Sequence, residues 1–213
     1  MVITSHGIEA IKVQFGDTAL IFNPPSKSSK VGKNLRMAAN VGLVSIDHPD
    51  MNGADSLSDK KDADIFIVDG PGEYEIGGVF IEGYQSKSQY GGEEKINTIY
   101  KVILEGMTIV YLGAINENNL DNNIMEAITS PDILFVPIGG DGVMNPAEAS
   151  KFAVKLSPSL VVPIHFEGVG EKDALKKFLK EEGEEKPDKV DKLTVKKSDL
   201  LNKEGEVVVI ESS

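Results

Sequence analysis

The sequence predicts a mixed α/β domain of the α+β kind, with two β-sheets packed together and helices on their outer faces. Three observations lead there. Short strand-like runs dominate the first half of the chain, helix–strand alternation takes over in the second, and no linker-like stretch or repeat period interrupts the 213 residues. Roughly ten to twelve strand-length runs against three or four helices is a proportion that buries sheet faces against each other and under helices. Residues 1–213 are therefore expected to form one domain, long enough for a sizeable core.

The elements follow in order. Residues 8–15 alternate apolar and polar with period two, Gly16-Asp17 turns the chain, and residues 18–22 run back as a hairpin. Asn23-Pro24-Pro25 stops that strand, and residues 26–33 read as loop. Residues 40–46 and 65–69 are apolar runs of buried-strand length, separated by a polar, Asx-rich loop over 47–64 with one helical turn. Residues 77–84 alternate again, and a glycine-rich loop surrounds Gly91-Gly92. Residues 97–104 and 107–112 form a second hairpin across Glu105-Gly106. Residues 120–129 carry helical spacing, with Leu120, Ile124, Ala127 and Ile128 on one face. A strand over 132–137 precedes Asn145-Pro146-Ala147-Glu148, a helix start with Asn as cap and Pro at the first position. That helix runs to about Leu156; a strand over 159–164, a charged amphipathic helix over 173–182 and a strand over 206–210 close the chain.

Composition narrows the function classes. The chain is 40% hydrophobic and 26% charged, the proportions of a soluble globular protein. No apolar run approaches the ~18–20 residues that span a bilayer, and the first residues lack the basic flank and apolar core of a signal peptide, so a cytoplasmic protein is expected. The absence of cysteine excludes disulfides, thiolate zinc sites and cysteine nucleophiles together. A net charge of −12 opposes phosphate backbones and anionic membranes, so neither nucleic acid nor membrane is an expected partner. The late lysines from Lys176 to Lys197 are interleaved with acids such as Glu181, Glu184 and Asp188, which reads as a solvated helix and loop.

One segment carries more specific chemistry. Ile46-Asp47-His48-Pro49-Asp50-Met51 follows a buried strand and opens a loop. It resembles the His-x-His-x-Asp-His signature of the metallo-β-lactamase superfamily, with His48 and Asp50 matching and Ile46 and Met51 standing where histidines would be. The surroundings extend the resemblance over nearly the whole chain. Asp69-Gly70-Pro71-Gly72-Glu73-Tyr74-Glu75, Asn97-Thr98-Ile99-Tyr100, Tyr111-Leu112-Gly113, Val136-Pro137-Ile138-Gly139-Gly140, Pro146-Ala147-Glu148-Ala149 and Val162-Pro163-Ile164-His165-Phe166 are similar to stretches of its small zinc-hydrolase-like branch. That branch includes the ascorbate-6-phosphate lactonase-like enzymes. The resemblance implies a four-layer αββα sandwich with a metal site between the sheet edges.

It also implies a degenerate site. In the family, imidazoles and carboxylates hold one or two metals that lower the pKa of bound water to about 7. Isoleucine offers no donor at position 46, and the thioether of Met51 is a poor zinc ligand. Ala114 replaces the bridging carboxylate, residues 86–96 contain no histidine, Gly7-Ile8 stands for Gly-His, and Asn23-Pro24 stands for Asp-Pro. His48, Asp50 and His165 are the residual metal-ligand candidates, and His6 is displaced from the pattern. The leading expectation is a non-catalytic protein on a hydrolase fold, without a resident cofactor, that binds a small molecule or a protein. Two rivals stay open: a mononuclear zinc- or manganese-dependent hydrolase of a phosphoester or lactone, and an assembly protein that forms a homo-oligomer.

Other residues carry a bland reading beside a functional one. Gly139-Gly140-Asp141-Gly142 can cradle an anion, but glycines at a strand-to-helix turn usually serve backbone geometry, and Asp141 is first a turn residue. Glu73 and Glu75 form an acid–base pair on paper and a strand-turn scaffold in the family pattern. His165 at a strand end is equally a hydrogen-bonded structural histidine. None of the three histidines sits beside a nucleophile motif.

Overall fold

A computed structural model of the chain describes residues 1–32, 37–58, 65–184 and 186–212. The chain opens on β1 (Val2–Ser5), then turns back through β2 (Ile11–Phe15) and β3 (Thr18–Phe22). Residues 8–10, expected to extend the second strand, instead form the β1–β2 turn. Gly7 and Ile8 both take positive φ there, and the Ala10 carbonyl accepts the His6 N–H at 2.8 Å. The short strands β4 (Met37–Ala38), β5 (Val41–Leu43), β6 (Leu57–Ser58) and β7 (Phe66–Val68) follow, with a 3₁₀ turn at Ala54–Ser56. The ends of the predicted 26–33 and 47–64 loops lie outside the described residues.

The second half begins with the hairpin of β8 (Gly72–Ile76) and β9 (Val79–Ser88), closed by Gly77-Gly78. The predicted hairpin across Glu105-Gly106 joins β10 (Lys95–Leu104) to β11 (Met107–Tyr111). Then come α1 (Asn122–Ile128), β12 (Ile133–Pro137), α2 (Pro146–Leu156), β13 (Leu160–Ile164) and α3 (Ala174–Glu181). The segment between α3 and the last strand holds β14 (Asp188–Val190) and β15 (Leu193–Thr194), where the sequence reads as loop; β16 (Glu206–Ile210) ends the series. β14 and β15 carry too few apolar residues to announce themselves. Each forms because an open strand edge, of β16 and β1 respectively, offers backbone partners.

These strands build a six-stranded sheet in the order β15-β1-β2-β3-β5-β7 and an eight-stranded sheet in the order β14-β16-β13-β12-β11-β10-β9-β8. Period-two alternation sorts the side chains. Ile133 and Phe135 of β12 join Ile11, Leu20 and Phe22 of the first sheet in the central core, whereas Leu134 and Val136 face the helices. β12 and β13 pair in parallel with both faces covered, which is why they read as unbroken apolar runs. Ile128, Phe152 and Phe178 bring α1, α2 and α3 onto the outer face of the eight-stranded sheet. Over the six-stranded sheet, the outer layer among the described residues is thin. There Met37, Ala39 and Leu57 cover Ile21 beside the two-residue strands β4 and β6. No helix among the described residues is long and apolar enough to cross a membrane.

Candidate functional site

Loops from both sheets meet at one edge of the sandwich. The β1–β2 turn brings Ile8 and Glu9, the end of β3 brings Asn23, and the segment after β5 brings Ser45, Ile46, His48, Asp50 and Met51. The β9–β10 loop brings Tyr90, the residues after β11 bring Ala114, and those after β12 and β13 bring Val143 and His165. Strand ends are where α/β folds place ligand sites, because the loops there are free to vary on a fixed scaffold.

The positions where the family resemblance implies ligands are not solvent-filled gaps. Ile46, Met51 and Ala114 are buried and pack with Ile8 and Val143 in one apolar cluster, with Tyr90 and Val169 against it. Apolar side chains packed at these positions leave no charged group there to be buried without an ion.

Beside that cluster lies a buried polar network. Glu9 is fully buried, although alternation placed it on a solvent face, because the β1–β2 turn rotates it inward. Its Oε1 accepts a hydrogen bond from His165 Nδ1 at 2.6 Å, and its Oε2 accepts one from Asn23 Nδ2 at 2.6 Å. The Tyr111 hydroxyl donates to the Glu9 carbonyl at 2.8 Å, and burial followed by the Glu9 charge pushes that phenol well above its ordinary pKa. Asn23 continues the network by donating to Ser45 Oγ at 2.8 Å and accepting the Ser45 N–H at 2.8 Å. Gly113 is held at φ +63° between Ser45 and Asn97, and a Cβ there would sit 2.5 Å from Ser45 Oγ, so the turn after β11 requires glycine.

Of the residual candidates, His48 and Asp50 come together. The Asp50 N–H donates to His48 Nδ1 at 3.2 Å, and the carboxylate lies 3.4 Å from the same nitrogen. Burial lowers the His48 pKa, with the Asp50 charge opposing. Both Asp50 oxygens are engaged, Oδ1 by the Ser29 hydroxyl at 2.6 Å and Oδ2 by the Tyr90 hydroxyl at 2.9 Å. The Tyr90 ring packs edge-wise against both imidazoles, with centroids 4.7 Å from His48 and 4.9 Å from His165. Burial and then the Asp50 hydrogen bond raise the Tyr90 pKa, so its hydroxyl stays a donor at any ordinary pH.

His165, which takes a positive φ of 60°, is fully buried, and its Nε2 has no hydrogen-bond partner. A buried nitrogen left this way costs roughly 1–3 kcal/mol. This arrangement does not fit a metal ion. Tyr90 stands between the candidate donors, Asp50 is already shared between two hydroxyls, and the neighbouring Ile8, Ile46, Met51 and Ala114 are apolar. No group of three His, Asp or Glu residues among the described residues is placed to hold one.

The remaining sequence candidates fall outside this constellation or serve it indirectly. Glu73 and Glu75 are exposed on the edge strand β8. The Gly140 N–H is committed to the Met144 carbonyl at 3.0 Å, as a turn requires. Asp141 reaches the rim of an open groove of about 530 Å³ that His48, Asp50, Tyr90, Gly91 and Gly142 also line. Sequence reasoning missed Glu9, Tyr90 and Tyr111. An isolated tyrosine in a glycine-rich loop, and an acid two residues after Gly7, were the signals available.

The fold and this strand-end pocket define a class, and sequence comparison agrees with it. Residues 2–165 match the family described as a Beta-lactamase superfamily domain, and the chain belongs to that family. It is 28% identical over 165 residues to a metal-dependent hydrolase of Thermococcus kodakarensis, covering 74% of this chain and 70% of that protein. Among solved structures, it resembles a putative zinc-dependent hydrolase of the metallo-β-lactamase superfamily from Thermotoga maritima, with a TM-score of 0.76 and 22% identity over 100% of this chain and 99% of that one. A putative metal-dependent hydrolase from Parabacteroides distasonis gives a TM-score of 0.66 at 15% identity, covering 99% and 93% of the two chains. At such identities the structural likeness establishes the fold.

Proposed function

We propose that this chain is a non-catalytic member of the superfamily, which uses the strand-end pocket to hold a small molecule or a partner and does not hydrolyse through a metal. The observation that carries the reading is the single apolar cluster of Ile8, Ile46, Met51, Ala114 and Val143, because the first four stand where the family pattern has donors. A sandwich whose core lies between two sheets does not need a metal to fold, so loss of the ligands and persistence of the fold are compatible.

The test is elemental analysis of protein purified without a histidine tag and dialysed. Zinc, manganese and iron well below one equivalent are expected. A near-stoichiometric ion that survives dialysis overturns the reading.

One observation favours a second reading, a mononuclear metal-dependent hydrolase of a phosphoester or lactone. His165 is backed by Glu9 through Nδ1 and keeps Nε2 unpaired, as a ligating histidine backed by a carboxylate would. The hydrolase names of its relatives point the same way. Metal-dependent turnover of a phosphodiester and lactone panel, lost in both His48→Ala and His165→Ala, would replace the first reading by this one.

A further inference from the structure

We infer that the space now filled by the Tyr90 ring is the ligand site of this protein. Its ligand is a small, uncharged hydroxy-aromatic molecule with a second hydroxyl, and Tyr90 acts as a built-in occupant that this molecule displaces. The inference rests on the non-catalytic reading above and names the ligand class for that same pocket.

The walls around Tyr90 already describe what they accept. A carboxylate oxygen of Asp50 takes its hydroxyl at 2.9 Å, two imidazoles meet its ring nearly at right angles, and the apolar cluster backs it. Flat ring, single hydroxyl and hydrocarbon backing are the attributes of a phenol. The fit is nevertheless incomplete, because His165 Nε2 is buried without a partner while Tyr90 packs on that imidazole. A phenol bearing a second hydroxyl would reproduce the Asp50 bond and also satisfy this nitrogen. That is a gain the resident tyrosine lacks and a source of preference for the displacing molecule.

Charge settles what the ligand is not. The adjoining groove is lined by Asp50 and Asp141 and contains neither lysine nor arginine, so a phosphate or carboxylate meets a repulsive field there. The groove also supplies the way in. It is open, about 530 Å³ in volume, and Tyr90 itself forms part of its wall.

Tyr90 is able to leave. It is only half-buried and sits on a loop where Gly91 and Gly92 both take positive φ. Gly91 lies against the His48 ring, where a Cβ would sit 3.1 Å from Nε2. The loop's anchors, Gln89 N–H to Gly142 O at 3.0 Å and Gly92 N–H to Gln89 O at 2.9 Å, do not involve the Tyr90 side chain, so the ring swings without dismantling them.

The experiment uses the full chain stripped with chelator, with resorcinol, p-cresol, toluene and benzoate as probes. In the parent protein, resorcinol is expected to shift the ¹⁵N resonance of His165 Nε2, while toluene and benzoate leave it unmoved. In Tyr90→Gly, p-cresol is expected to bind at least roughly tenfold more tightly than toluene by calorimetry, and adding Asp50→Ala, which removes the acceptor, is expected to remove that preference. Cooperative thermal unfolding of each variant establishes that it is folded. Resorcinol that leaves His165 unmoved in the parent overturns the inference, as does a folded Tyr90→Gly that takes toluene or benzoate as well as p-cresol. Zinc uptake by Tyr90→Gly without p-cresol binding also overturns it, in favour of a masked metal site. A resident ion in the unstripped protein counts against the non-catalytic reading alone, so the two failures are distinguishable.

Discussion

Glu9 ties together Tyr111 of β11 and the residues just past β3 and β13, Asn23 and His165, and it does so from complete burial. A charge-assisted network of this kind is costly to break from one side, because the partners stay buried without their acceptor. Glu9→Ala is therefore expected to lose about 3–5 kcal/mol of stability in urea unfolding. Ala114 offers the complementary test. It is fully exposed to the apolar cluster and closed to water, so Ala114→Asp places a carboxylate among Ile46, Met51 and Val143. A loss of about 3 kcal/mol or more is expected, and added zinc should not restore it, since Ile46 and Met51 bring no donor. A zinc-induced rise in the unfolding temperature of that variant would show that the remaining residues still assemble a site.

At the scale of single elements, α2 is the best-specified helix. Asn145 accepts from the Ala147 and Glu148 N–H groups, and the Glu148 carboxylate accepts the Asn145 N–H, which closes a capping box ahead of Pro146. Asn145→Ala is expected to cost about 1 kcal/mol, measurable as a lower urea midpoint at unchanged slope. The end of α3 carries a different signal. Burial raises the pKa of Glu182 above its ordinary 4.5, and the Ser150 hydroxyl offsets this only in part. A carboxyl with a raised folded pKa contributes most below its unfolded value, and that contribution is lost as pH rises through the folded one. Glu182→Gln should therefore be more stable than the parent near about pH 7 and show no advantage near about pH 4, compared by urea unfolding. An advantage that is equal at both pH values would remove ionisation as its cause.

For the whole molecule, the two-sheet sandwich with a hydrocarbon-filled site predicts that a chelator leaves the thermal midpoint unmoved. An ion bound to the native state alone would raise that midpoint, and its removal would lower it by several degrees. Much of this architecture was legible in the sequence. Period-two runs marked β2 and β9, hairpin signals marked β3, β10 and β11, unbroken apolar runs marked β12 and β13, and Asn145-Pro146 marked the start of α2, because each of those signals is local. The family pattern and the apolar residues at 46, 51 and 114 were equally local facts of residue type. What the alternation missed depends on neighbours distant along the chain. β14 and β15 exist because β16 and β1 present open edges, Glu9 is buried because a positive-φ turn rotates it toward His165, and Tyr90 matters because two imidazoles 117 residues apart in number (48 and 165) meet its ring. The sequence by itself determined that apolar residues stand at positions 8, 46, 51 and 114, where the family resemblance implies donors. Only the tertiary structure decided that these four pack together in one cluster, since filling a site is a matter of packing between elements, and packing has no periodicity to read.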